Sequence, residues 1–169
     1  MPDVTDATDD SATPGMRLAQ TLTHRLHTLH KLTDRASQAA YLTATGLPLG
    51  EGRCLAAIGA FAPLSVVELA DRANLNKGQA SRAAQSLVDQ GLVAKTANAA
   101  DARGVELTLT RKGRTVWRRV MAVIERRNEE IFGGLDADGR ALLGDLLDRL
   151  IERAQQAAGE GEEKGEDAD

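Results

Sequence analysis

A mainly α-helical fold with one small β-hairpin is what the sequence predicts, and three observations lead there. The 169-residue chain is 42% hydrophobic but only 2% aromatic, so its core has to be built from Leu, Val, Ile and Ala, a composition that favours helices. Along most of the chain apolar residues recur every three or four positions, the helical period. Only after Gly91 does the period fall to two, with Val105, Leu107 and Leu109 alternating with Glu106 and Thr108 as in a half-buried strand.

Residues 1–15 carry Asp3, Asp6, Asp9 and Asp10 and no base, the composition of a disordered acidic tail. From Met16, residues Leu18, Leu22, Leu26, Leu29, Leu32 and Ala36 predict an amphipathic helix to about Thr43, roughly 40 Å long. A stripe of that length exceeds what one small domain covers, so residues 16–46 are expected to form a dimerisation helix. The "TGLPLG" segment breaks it, and "EGRCLAAIGAF" predicts a short buried helix ending near Pro63. Ser65 and Glu68 have the spacing of a capping box at the start of "VVELADRA". Asn74, tolerant of the left-handed region, marks a tight turn into a further helix that stops near Gly91. The "LVAKTA" segment then pairs antiparallel with the 105–109 strand across the turn "NAADARG", which closes a domain spanning 47–113. A second long helix from Thr110 carries Val116, Val120, Val123, Ile124 and Ile131 to Gly133 and Gly134. Asp136 caps a last helix with Leu142, Leu143, Leu146, Leu147 and Leu150 on its apolar face. Residues 114–157 are thus expected to be C-terminal dimerisation helices, and 158–169, with six acids against Lys164, a disordered acidic tail.

The net charge of -4 and pI of 5.4 hide an uneven distribution. The acid is concentrated in the two tails, whereas residues 72–119 hold ten Lys or Arg against Asp89, Asp101 and Glu106. A local basic field of this kind suits a nucleic-acid partner whatever the global pI. Cys54 is alone, which excludes an intrachain disulfide framework and points to a reducing cytoplasm. No run approaches the roughly 20 apolar residues of a membrane span, and the N-terminus lacks the features of a signal peptide.

The stretch "NLNKGQASRAAQSLVDQGLV" gathers Ala80, Ala83, Ala84 and Leu87 into one narrow stripe on a helical wheel. Lys77, Gly78, Gln79, Ser81, Arg82 and Gln85 are the DNA-contact candidates that this leaves. Small residues on the inner side let the helix sit close across its predecessor. The outer side displays groups that read bases, since Arg bonds guanine bidentately and Gln bonds adenine. Lys77 and Lys95 are expected on phosphate, which positions without reading sequence. The turn at Asn74 between two such helices gives the helix-turn-helix layout, and the adjoining hairpin makes it a winged helix-turn-helix with double-stranded DNA as partner. Some of Arg111, Lys112, Arg114, Arg118 and Arg119 are expected to add phosphate contacts.

The stretch "LVDQGLVAKTANAADARGVELTLTRKG" resembles the multiple antibiotic resistance regulator (MarR) family, within a similarity running from about Met16 to Ala157. The family pattern of a helix end, Gly-Leu-Val, a wing turn with Asp-x-Arg, a strand and Leu-Thr-x-x-Gly stands here as Gly91-Leu92-Val93, Asp101-Ala102-Arg103 and Leu109 to Gly113. The resemblance implies a homodimer with interleaved first and last helices and two winged helices on a palindromic operator. It further implies that Arg103 enters the minor groove and that Asp101 holds the wing in shape. The wing turn often carries more arginine than the Asn98, Ala99, Ala100 and Ala102 found here, which implies weaker wing contacts.

Arg25 falls inside the arc of Leu22, Leu26, Leu29 and Leu32, and a charge there needs a partner. That partner is either an acid across a dimer or an incoming anion. Joined to the resemblance, the second reading implies a repressor released by a small aromatic carboxylate or related anionic effector, with Arg53 and His30 as the other ligand candidates. His24, His27 and His30 step three apart, but the outer two lie about 120° apart on the wheel. No metal and no other cofactor is expected. Cys54, among Leu55, Ala57 and Ile58, reads as a buried inert thiol. No nucleophile, base and orienter set stands out, so an enzyme is not expected. The rival reading is a sequence-tolerant architectural DNA-binding protein without a ligand.

Overall fold

The computed structural model describes residues 17–97 and 105–166. In chain order it contains α1 (Leu22–Thr45), α2 (Leu49–Phe61), α3 (Val66–Ala73), α4 (Lys77–Asp89), β1 (Val93–Ala97), β2 (Val105–Leu109), α5 (Arg111–Phe132) and α6 (Ala137–Glu166). The architecture is mainly α with one hairpin, as the apolar periods require.

Helix α1 starts later than its apolar pattern suggests. Residues Leu18–Gln20 form a 3-10 turn, and Thr21, extended at φ -70 and ψ 141, is the N-cap whose hydroxyl accepts from the His24 N–H. The cap decides the boundary here because apolar spacing cannot distinguish a 3-10 turn from the first turn of an α-helix. At the other end Gly46, at φ 76, closes α1 in the left-handed region. Helix α6 continues to Glu166, past the boundary at 158 expected from composition. Glu160, Glu162, Glu163, Lys164 and Glu166 are good helix formers interleaved with Gly159, Gly161 and Gly165, which are poor ones, and nothing apolar requires the continuation.

Helix α2 is the centre of the molecule and packs against α1, α3, α4, α5 and β2. Its glycines are sites of close approach: a Cβ at Gly52 would lie 2.2 Å from the Tyr41 ring of α1, and one at Gly59 2.2 Å from the Trp117 ring of α5. Each glycine in a helix interior costs about 1 kcal/mol relative to alanine, and burial of an aromatic ring against the bare backbone offsets it. Cys54, Leu55 and Ile58 of α2 meet Leu69, Leu87, Leu107 and Val120 in the fully buried centre of the core.

Ser65 and Glu68 form the expected capping box at the start of α3, and Asn74 ends α3 at φ 54 and ψ 50. The hairpin pairs Val93 with Leu109 and Ala97 with Val105, with Lys95 opposite Leu107. On its other edge Leu107 exchanges two backbone hydrogen bonds with Leu64, which ties the wing to the α2–α3 connection. Thr110 then caps α5, accepting from the Gly113 N–H while donating to the Gly91 carbonyl.

The apolar faces of α1 and α6 do not enter this core. Leu22, Leu26, Leu29 and Leu32, with Leu142, Leu146, Leu150 and Ile151, are between 44% and 70% exposed. An apolar groove of about 730 Å³ runs between Leu22 and Leu26 on one side and Leu143, Leu146, Leu147 and Leu150 on the other. Arg140, hydrogen-bonded twice to Glu129, ties the first turn of α6 to the end of α5.

Candidate nucleic-acid interface

The two sides of α4 divide as the wheel predicts. Ala80, Ala83, Ala84 and Leu87 are buried, while Lys77, Gly78, Gln79, Ser81, Arg82 and Gln85 are all exposed. Asn76 caps the helix by accepting from the Gln79 N–H at 2.9 Å, and the Gln79 side-chain oxygen accepts from the Asn76 N–H at 3.1 Å. This second capping box, absent from the sequence reading, engages one end of the Gln79 amide and leaves its NH2 group directed to other acceptors. The signal was present, since Asn-x-x-Gln differs from the Ser-x-x-Glu of α3 only by amide-for-acid and amide-for-hydroxyl exchange. Arg82 leans back over the first turn, as helical side chains do, with a guanidinium nitrogen 3.5 Å from where a Gly78 Cβ would lie. Gln85 donates to Asp89 at 2.8 Å, one turn on.

Glu51, in the first turn of α2, holds the far end of α4. One carboxylate oxygen accepts from the Ser86 hydroxyl at 2.8 Å and the other from the Gln90 amide at 2.8 Å. Sequence reasoning missed this anchor because an acid in the first turn of a helix is already explained by the helix dipole. Its consequence is positional: the helix that carries Arg82 is fixed to the central helix by a charged group at one end and by its alanine stripe along its length.

The flanking cations separate into two kinds. Lys112 donates to the Gln90 carbonyl at 2.8 Å, Arg114 to the Leu109 carbonyl at 3.0 Å and Arg119 to the Ala44 carbonyl at 3.5 Å, so these three tie off chain ends. Lys95 on β1, and Arg111 and Arg118 on α5, are exposed and have no ion pair among the described residues. Arg103 and Asp101, with Asn98, Ala99, Ala100 and Ala102 of the wing turn, lie outside the described residues.

Behind the winged helix, residues of α1, α2 and α5 and of the α3–α4 turn line an open cavity of about 510 Å³. His30 and Arg53 both line it, together with Tyr41, Arg72, Asn74 and Ile124. Asp34 stands between the first two, with one oxygen 2.5 Å from Arg53 and the other 3.5 Å from His30. Burial raises the Tyr41 hydroxyl pKa above its ordinary value, with the nearby Arg53 charge opposing. Arg25 does not join this group: it is exposed on α1 and does not line the cavity. Its apolar neighbours on α1 are themselves exposed in the single chain, so the expected burial of its charge does not arise within one protomer. Among the described residues no group of three potential metal ligands gathers, His24 and His27 included. Cys54 is fully buried, and its thiol is pushed up to about 12 by burial first and the Glu51 carboxylate second.

A sequence model of the MarR family matches residues 45–104, which span α2 to the wing turn. The HTH-type transcriptional repressor Rv2887 of Mycobacterium tuberculosis is 29% identical over 116 residues, 69% of this chain and 84% of that protein. The crystal structure of Rv2887 with p-aminosalicylic acid superposes with a TM-score of 0.63 at 28% identity, covering 77% of this chain and 98% of the other. A MarR family regulator from Silicibacter pomeroyi superposes with a TM-score of 0.72 at 23% identity, over 81% of this chain and 92% of the other, and shares the fold. Helix-turn-helix, hairpin and sequence pattern all agree with the similarity of the chain to the MarR family of winged-helix transcriptional regulators.

Proposed function

We propose that the protein is a homodimeric, sequence-specific repressor that binds a palindromic operator and is released by a small anionic aromatic ligand. The observation that carries the DNA reading is the division of α4, whose buried side is almost all alanine and whose exposed side holds Lys77, Gly78, Gln79, Ser81, Arg82 and Gln85. Such a helix contributes little to the core beyond close approach, and its outer chemistry suits the major groove. Arg82 is assigned to base reading, with Gln79 and Gln85 as adaptable partners whose local hydrogen bonds exchange on binding. Lys77, Ser81 and Lys95 are assigned to phosphate. The fold does not require glycine at 78, where a Cβ would meet nothing nearer than 3.5 Å, so a bare backbone there suits close approach of a phosphate. Arg103 is assigned to the minor groove and Asp101 to the shape of the wing.

The exposed leucines of α1 and α6 support residues 16–46 and 114–157 as the dimerisation region around the winged helix of 47–113, with Arg25 on the dimer face. The cavity lined by His30 and Arg53 supports the effector reading, and the occurrence of p-aminosalicylic acid in the Rv2887 structure suggests its class.

Mobility shifts on the chain's own promoter, against random DNA of equal length, test the assignment. Arg82→Ala should cost about 1 to 3 kcal/mol on the best site and relax its sequence preference, whereas Lys95→Ala should weaken all sequences alike and flatten the salt dependence. An Arg82→Ala variant with unchanged site preference would show that α4 does not read bases through this residue.

A further inference from the structure

We propose that the acid-rich end of the chain, residues 159–169, docks on the basic face formed by α4 and the wing and competes there with DNA. The inference rests on the DNA reading of α4 given above. On that face Lys77, Arg82 and Lys95 are exposed and have no ion pair among the described residues, and the same holds for Arg111 and Arg118 in the first turns of α5. Asp89, at the end of α4, accepts from Gln85 instead. Residues 159–169 hold six acids against Lys164, a net charge of -5. A block of one sign on a chain whose centre has the other is attracted to that centre whenever it can reach it.

The fold supplies the reach. Leu143, Leu146 and Leu150 of α6 line one groove with Leu22 and Leu26 of α1. Further along α6, Gln155 lines a cavity with Phe61 at the end of α2 and with Glu68, Asp71 and Arg72 of α3. Helix α6 thus passes the first turns of α1, reaches α3 by Gln155 and continues to Glu166. That continuation is about 16 Å long as a helix. Packed helices lie about 10 Å apart, and α4 packs directly on α3. The length beyond α3 is therefore sufficient to bring the acids to α4, and Gly159, Gly161 and Gly165, poor helix formers, let this end leave the path of the helix.

The competition has a definite form. Tethering holds the acidic segment at an effective concentration of about 10⁻³ M, and a face that binds random DNA with a Kd of about 10⁻⁴ M would then be occupied by its own tail about ten times as often as it is open. Because tail and DNA exclude one another, operator and random DNA are weakened by the same factor and the preference between them is unchanged. Salt screens the tail contact as it screens phosphate contacts, so the handicap fades as salt rises. The intact protein therefore loses DNA affinity with salt less steeply than a protein without the tail charge.

The test compares full-length wild type with a C-terminal variant, Glu160→Gln, Glu162→Gln, Glu163→Gln, Glu166→Gln, Asp167→Asn and Asp169→Asn. The control is an N-terminal variant, Asp3→Asn, Asp6→Asn, Asp9→Asn and Asp10→Asn, which removes similar charge at the other end of the chain. Mobility shifts use the chain's own promoter and random DNA between about 50 and 200 mM salt. At the lower salt the C-terminal variant should bind both DNAs about tenfold more tightly than wild type, the two should converge as salt rises, and the N-terminal variant should follow wild type. Equal affinities of the C-terminal variant and wild type at low salt would overturn the inference. So would the same gain in the N-terminal variant, because net charge without contact would then suffice. Contact is read separately from a spin label on Ala168→Cys, which leaves every tail charge in place while the buried Cys54 stays unlabelled. The label should broaden amide signals of α4 and β1 at low salt and release them when DNA is added; no broadening there at low salt would also overturn the inference. If none of the three proteins binds either DNA, the DNA reading itself fails and this inference with it.

Discussion

Gly113 has a carbonyl where its side chain would be: a Cβ there would sit 1.9 Å from the Leu92 oxygen. The Leu-Thr-x-x-Gly pattern thereby acquires a physical meaning, since Thr110 bonds both the Gly91 carbonyl and the Gly113 N–H and draws the start of α5 against the end of α4. A glycine demanded by a neighbour far away in sequence is invisible to local reasoning, and so were Gly52 and Gly59 beneath their aromatic rings. Residues whose role is set by their own helix were legible: Ser65 and Asn74 both act within three or four positions of themselves. For Arg25 a helical wheel gives the face of the residue but not what covers that face, which is exposed in the single protomer. Cys54 was legible as inert from its apolar neighbours, and its raised pKa has a measurable consequence. Unfolded, the thiol titrates near its ordinary value of 9.0, and folded only at about 12, so the unfolded chain loses the proton first. Stability is unaffected below pH 9 and should fall as the pH rises from about 9 towards 12, with Tyr41 acting in the same direction. Thermal unfolding followed from pH 8 to 11 should show this decline, and Cys54→Ala should have a shallower one. Parallel curves for the two proteins would mean that the thiol is not the source.

At the scale of elements, the helices and strands were readable wherever period and caps agreed, and boundaries moved where they did not, as at Thr21 and past residue 158. The buried stripe of α4 was legible from its alanines, but the fixation of this helix to α2 was not, because a contact between residues 35 and 39 positions apart leaves no periodic trace. That fixation can be measured. Hydrogen bonds to a charged group contribute about 1.5 to 3 kcal/mol when buried and less when partly exposed, so Glu51→Ala should cost about 2 kcal/mol. Urea denaturation should show a lower midpoint at an unchanged slope. Glu51→Gln, which keeps one acceptor, should lose about half as much. A Glu51→Ala protein of wild-type stability would mean that α4 is held by its alanine stripe alone.

The whole molecule places an acidic average around a basic centre, and that distribution was readable by counting along the chain. What the single chain leaves uncovered was also readable, as apolar stripes on the first and last helices in excess of one domain's needs. The four leucines of α1 and their counterparts on α6 leave this protomer with a large apolar surface in water. If dimerisation covers them, folding and association form one equilibrium. The thermal midpoint should then rise with protein concentration, by an amount set by about 1.4 kcal/mol per mole of dimer for each tenfold increase. Scans over two decades of concentration check this, and a constant midpoint would point to a protomer that is stable alone.

The uncovered leucines have a further consequence for gene control. If the dimer is the operator-binding species, as proposed, the number of operator-competent molecules below the concentration at which dimers form grows as the square of the number of chains. Halving expression would then cut the active pool about fourfold, by mass action. Abundance would become an input in its own right, and a gene under this control would respond to it with a threshold rather than in proportion.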